Sequence, residues 1–147
     1  MSRKASAFVC DEALFSLTGK ITISGLYTQD IVIVSNEQQI NQLVFLFTVE
    51  TSKSQPFKSA MLKIAFPGGD PVLVPMMTVI HPASIDDDRR KSMVFRQPVL
   101  VPMPILRPGR IVASVLHEDG EMEAGGFWVV TMEEAQKKQT EATRAKG

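Results

Sequence analysis

The chain carries a single cysteine, Cys10, among 147 residues. One thiol can form neither an internal disulfide nor a cysteine-based zinc site. Net charge is absent as well, with 16 basic residues balanced by 16 acidic ones. A general nucleic-acid binder gains most of its affinity by neutralising phosphates and so carries a basic excess. No nucleic-acid partner is therefore expected. Long apolar runs are also missing: the longest fall well short of the roughly 20 residues needed for a membrane-spanning helix. Arg3 and Lys4 resemble the charged start of a signal peptide, but Cys10, Asp11 and Glu12 interrupt the chain before any sustained apolar segment forms. The expected location is the cytoplasm, away from membranes.

Signatures of common chemistries are lacking too. There is no Gly-rich phosphate loop, no G-x-S-x-G elbow and no H-E-x-x-H helix. Gly68-Gly69 and Gly125-Gly126 lack the strand-to-helix setting of a phosphate binder, and the aromatic residues are not interleaved with arginine as on a single-strand nucleic-acid platform.

What is present is an ordinary globular composition, 44% hydrophobic and 22% charged, in a chain long enough for one domain with a real core. Its periodicity is that of strands. Lys20-Ile21-Thr22-Ile23-Ser24 alternates apolar and polar residues, the pattern of a half-buried strand. Leu43, Phe45, Phe47 and Val49 share one face of a second segment, and Ala60, Leu62, Ile64 and Phe66 one face of a third. Ile111, Ala113 and Val115 alternate with Val112, Ser114 and Leu116, and Phe127 and Val129 alternate with Trp128 and Val130. Both faces of these last two segments are apolar enough to call for a cover on each side. Turn signals punctuate the strands: Pro67-Gly68-Gly69-Asp70-Pro71, Pro108-Gly109, and the hairpin dipeptide Asp119-Gly120.

The hexapeptide Pro71-Val72-Leu73-Val74-Pro75-Met76 recurs as Pro98-Val99-Leu100-Val101-Pro102-Met103 with unrelated flanks. Proline cannot donate to a strand ladder, so both copies are expected at sheet edges, strand ends or bulges. Helix signals are scarce. Ser35-x-x-Gln38 and Thr131-x-x-Glu134 fit the capping-box pattern. The first suggests a turn or two through Ile40. The second opens a charged segment with Glu133/Lys137 and Glu134/Lys138 pairs at i, i+4, read as a solvated helix.

Candidate chemistry is thin. Cys10 would need a base, and only His81 and His117 exist; within Ala7-Phe8-Val9-Cys10 the thiol reads more simply as a small buried hydrophobe. Asp86, Asp87 and Asp88 precede Arg89, Arg90 and Lys91. Calcium loops of C2-type sandwiches use spaced aspartates, and three adjoining cations would oppose a divalent ion. This run therefore reads as a solvated loop that could serve recognition. His81, His117, Glu118, Asp119, Glu121 and Glu123 are potential metal ligands, but neither histidine has a second one at ligand spacing and the acidic residues surround the Asp119-Gly120 turn, so no metal and no cofactor are expected.

Val9-Cys10-Asp11 and Thr18-Gly19-Lys20-Ile21-Thr22-Ile23-Ser24-Gly25-Leu26-Tyr27 resemble the opening of a small uncharacterised bacterial domain family. Arg107-Pro108-Gly109-Arg110 and Asp119-Gly120-Glu121 are similar to that family's end. The resemblance spans the first and last thirds of the chain. It implies a bacterial β-sandwich of unknown function and carries no catalytic residues across.

The sequence thus predicts an all-β, antiparallel sandwich, immunoglobulin-like or C2-like, of roughly seven to nine strands. Residues 1–131 would form it, and residues 132–147 a charged helix or tail. The expected function is a non-catalytic interaction or structural module that binds another protein or a second copy of itself. Asp86, Asp87, Asp88, Arg89, Arg90 and Trp128 are the candidate contacts. Two alternatives are carried: a ligand-binding protein or enzyme with Cys10, His81 or His117 in a loop-end pocket, and a phage or secretion-apparatus component, the latter by fold-level analogy.

Overall fold

Period-2 segments bury one face each, so they stack as two sheets with their apolar faces together. The structure, a computed structural model, describes residues 3–18, 20–52, 54–76 and 92–146. Strands β1 (Lys4–Phe15), β2 (Ile21–Leu26), β5 (Gln42–Ser52) and β8 (Ser92–Pro102) form a four-stranded sheet in the order β2-β1-β5-β8. Strands β3 (Ile31–Ile33), β6 (Ala60–Ala65), β7 (Val72–Pro75), β10 (Gly109–His117) and β11 (Gly120–Thr131) form a five-stranded sheet in the order β3-β11-β10-β6-β7. Pairing is antiparallel except between β3 and β11. These nine strands make the all-β sandwich that the alternation predicts. A short ribbon of β4 (Gln38–Gln39) with β9 (Ile105–Leu106) makes a third, two-stranded sheet, whose Leu106 joins the core.

The core follows the alternation. Leu43, Phe45, Phe47 and Val49 from β5, with Ala7 and Val9 from β1, meet Leu62 and Ile64 from β6 and Ile111, Ala113 and Val115 from β10. All are buried. At the centre, the Phe45 ring makes edge contacts with Phe66 and Phe127, both at a centroid distance of 6.0 Å. A bulge between Ala113 and Ser114 shifts the β11 register, so that Ala113 opposes Gly125 but Ser114 opposes Glu123. The extra residue lets Met122 pack on the core while Glu121 and Glu123 stay exposed.

Both copies of the repeated hexapeptide lie on edge strands, β7 in one sheet and β8 in the other. This is where a residue without an N–H does least harm to a ladder.

Three local readings are corrected. Ser35–Ile40 is not helical: bends at 34–37 lead into β4. Gln38 does reach back, but its Oε1 accepts from the Val34 amide at 2.8 Å. The side chain that would accept from the Ser35 amide in a capping box here reaches one residue further back and shapes a loop. In the β10–β11 hairpin, His117 pairs with Gly120, so the two-residue loop is Glu118-Asp119 rather than Asp119-Gly120. Among the described residues other than glycine, only Met103 has a positive φ, so this loop is not the type I′ turn that Asp-Gly favours. Finally, β2 is exposed along almost its whole length rather than half-buried. It pairs with the far end of β1, and none of its residues joins the core.

Thr131 caps the helix α1 (Met132–Lys146), accepting from the Glu134 amide at 3.3 Å. The helix is exposed over most of its length, with Acidic residues Glu133 and Glu134 in its first turn, where they complement the dipole.

Candidate functional site

The outer faces of the two sheets differ in character. That of the five-stranded sheet is laced with charge. Arg110 Nη2 meets Glu123 Oε1 at 2.6 Å, Lys63 Nζ lies 3.5 Å from Glu121 Oε1, and Ser114 Oγ donates to the same Glu121 oxygen at 2.7 Å. This last hydrogen bond, ahead of the Lys63 charge, lowers the Glu121 carboxyl below its ordinary value.

On the four-stranded sheet, register builds an apolar surface instead. Cys10 pairs with Leu26 on one side and Val44 on the other, and Val44 pairs with Leu100. In the next row Phe8 pairs with Leu46, and Leu46 with Pro98. Cys10, Val44 and Leu46 are buried in the middle of this face, while Phe8, Leu26 and Leu100 around them are each about half exposed, at 51%, 46% and 54%. The rows beyond are more polar: Ser6, Thr48 and Arg96 on one side, Glu12, Ser24 and Gln42 on the other. Isolated exposed apolar residues are ordinary, but these form one contiguous patch with a polar rim.

The same geometry answers the question of a cysteine nucleophile. Cys10 is fully buried, its Sγ lies 3.7 Å from the Val44 carbonyl oxygen, and burial pushes its thiol pKa up. A reactive thiol requires the opposite shift. His117 is placed elsewhere, at the end of β10. Its Nδ1 accepts from Arg3 Nη1 at 3.1 Å and from the Asp119 amide at 3.2 Å. Arg3 also binds Glu118 Oε1 at 2.5 Å and lies 4.3 Å above the Phe57 ring. This cluster ties the start of β1 to the β10–β11 loop. The Glu118 carboxyl is held down at about 2, first by its own backbone amide, then by Arg3 and the Ser59 amide, against an opposing cost of burial.

Trp128 is 55% exposed, opposite Arg110 on the five-stranded sheet, and so belongs to a different face from the apolar patch. Its neighbour Val130 is buried in the region where α1 approaches β11 and β3. Asp86, Asp87, Asp88, Arg89 and Arg90, with Lys91 and His81, lie outside the described residues. Among the described residues no three His, Cys, Asp or Glu side chains gather as a metal site.

One cleft was not signalled by the sequence. Asp11, Glu12, Tyr27, Ile40, Asn41 and Gln42 line an open space of about 570 Å³ at the end of β1. The Asp11 carboxylate accepts from the Tyr27 hydroxyl, and burial, aided by that bond, pushes the phenol up to about 12. Gln42 Nε2 donates to the Asp11 carbonyl at 2.8 Å. These groups largely satisfy one another. Gly25-Leu26-Tyr27 following Asp11 by about one hairpin was the available hint, since only a hairpin register brings them together.

Compared with protein-family models and with curated proteins, the chain matches none.

Proposed function

We propose that this protein is a non-catalytic interaction module whose contact surface is the outer face of the four-stranded sheet. The observation that carries this reading is the patch in which Phe8, Leu26 and Leu100 stand half exposed around buried Cys10, Val44 and Leu46. Each exposed side chain loses hydrophobic stabilisation that a partner would supply, on the order of 25 cal/mol for each Å² covered. The polar rim limits the contact area and sets its register. Cys10, the one candidate nucleophile, serves here as filling between strands.

The test is a capture experiment with the tagged full-length chain in a lysate of its source organism, run beside the double variant Phe8→Ser/Leu100→Ser. Both positions are half exposed, so the variant keeps its fold, checked by circular dichroism. A stoichiometric partner, or untagged copies of the chain itself, retained by the parent and lost by the variant is the expected result. Equal recovery by both baits would remove this face from the interaction.

A further inference from the structure

We infer that two copies of this chain join through strand β2, pairing antiparallel so that their four-stranded sheets become one sheet of eight. The inference rests on the reading of this sheet as an interaction surface, and it names the occupant of its edge.

Among the described residues, four strands lie at the edges of the two large sheets: β2, β8, β3 and β7. Edges invite pairing with other chains, and natural sheets block them with proline, charge, shortness or a cover. Three of the four are blocked. β8 carries Arg96, Pro98 and Pro102, and β7 spans four residues and ends in Pro75. β3 spans three residues and is flanked by α1, whose Lys138 Nζ lies 3.7 Å from Asp30. β2, Ile-Thr-Ile-Ser-Gly-Leu, has neither proline nor charge, and its β-branched residues favour strand. It is also the strand that the core leaves exposed.

The strand is complementary to its own reverse. Gly25 has φ +69° and is crowded by the Asp11 side chain, so the straight part of the edge ends at Ser24. A twofold axis perpendicular to the sheet keeps each side chain on its own face, and centring it on Thr22 uses only that straight part. Ile21 then opposes Ile23 of the copy, twice over, on one face. On the other face Thr22 opposes Thr22, and Lys20 opposes Ser24, whose neighbour across the β1–β2 ladder is Glu12. The axis thus creates two Lys20–Glu12 attractions between copies and sets no like charges opposite each other. Cross-strand pairs of these kinds, β-branched with β-branched, Thr with Thr and opposite charges, are the favourable ones. The axis also carries Leu17, fully exposed at the hairpin tip, alongside Leu26 and Tyr27 of the copy. The apolar patches of the two copies then lie on the same side of the joined sheet.

The experiment is sedimentation velocity of the full-length chain over a concentration series, beside Thr22→Lys and Thr22→Glu. Position 22 is exposed, and each variant sets two like charges opposite each other at the axis. The expected result is a parent whose mass rises from 16.2 kDa toward twice that value with concentration, each variant alone at least tenfold weaker in association, and an equimolar mixture of the two restored to the dimer. Restoration requires both variants to be folded, so it separates charge repulsion from misfolding. A parent that stays monomeric, or a dimer unchanged in Thr22→Lys, overturns the inference. A monomeric parent that still loses its captured partner on Phe8→Ser/Leu100→Ser would overturn β2 pairing while leaving the proposed function standing.

Discussion

Phe45 and Phe47 offer a matched pair for measuring what aromatic geometry adds to the core. Both are fully buried on the inner face of β5, two residues apart. Phe45 makes two edge contacts, with Phe66 at an interplanar angle of 87° and with Phe127 at 65°. No such contact is made by Phe47 among the described residues. Replacing either ring by leucine removes similar apolar volume, at a cost of roughly 1–2 kcal/mol. Phe45→Leu additionally loses two ring pairs worth roughly 0.5–1.5 kcal/mol each. It should therefore be the more destabilising substitution by about 2 kcal/mol. At roughly 2–4 °C for each kcal/mol in a chain of this size, the two variants should melt about 4–8 °C apart. Urea unfolding followed by far-ultraviolet circular dichroism gives the same comparison at constant temperature, provided the slopes agree. Equal midpoints, or a lower one for Phe47→Leu, would refute the view that Phe45 is the centre of the core.

Glu118 titrates at about 2 when folded, below the roughly 4.3 of an unfolded glutamate. Its contribution is thus present above about pH 4.3 and is lost as pH falls through 2; Glu118→Gln should flatten the acid limb of a melting-temperature profile between pH 5 and 2. Tyr27 is the only tyrosine, so absorbance at 295 nm reports its ionisation alone. Its midpoint should lie near 12 and fall in Asp11→Asn while staying above the ordinary value of about 10, because burial, the larger cause, remains. Because the folded value is the raised one, its stabilisation holds below about pH 10 and disappears as pH climbs through 12, so Tyr27→Phe should lessen alkaline sensitivity. Gly25→Ala combines positive φ with a Cβ driven into Asp11 and should cost about 1–3 kcal/mol, whereas Gly69→Ala, with no atom within 4 Å of the new methyl, should stay within about 0.5 kcal/mol of the parent; thermal melts of both decide. Thr131→Ala removes the cap of α1 and should weaken the helix by about 1 kcal/mol, seen as lower ellipticity at 222 nm with the sandwich melt unmoved.

Much of the fold was legible because period-2 patterning reports which side chains share a face. The inward residues of β5 and β10 are the apolar sets that alternation picks out. What alternation cannot report is whether a second sheet lies above that face. Ile21 and Ile23 alternate as cleanly as Phe45 and Phe47, yet β2 overhangs the core and they do not join it. The capping-box pattern failed at Ser35 for a related reason: a side chain returning to a nearby amide stabilises a bend as readily as a first helical turn. At Thr131 the same pattern succeeded because fifteen residues without glycine or proline follow it.

The apolar patch was hidden by sequence distance. Phe8, Cys10, Leu26, Leu46, Pro98 and Leu100 become neighbours only through the registers of β1, β5 and β8. A local signal nevertheless existed in Leu43-Val44-Phe45-Leu46-Phe47, an unbroken apolar run in place of alternation. Such runs belong to strands covered on both faces. Alternation points to double-sided apolarity in β10 and β11 instead, where ion pairs line the outer surface and helix α1 approaches β11. In β5 the outward Val44 and Leu46 are buried, but the side chains beside them, Phe8 and Leu100, are themselves half exposed. A central strand patterned for cover on both sides, bordered by residues that still lack it, is the pattern on which the proposed contact surface rests.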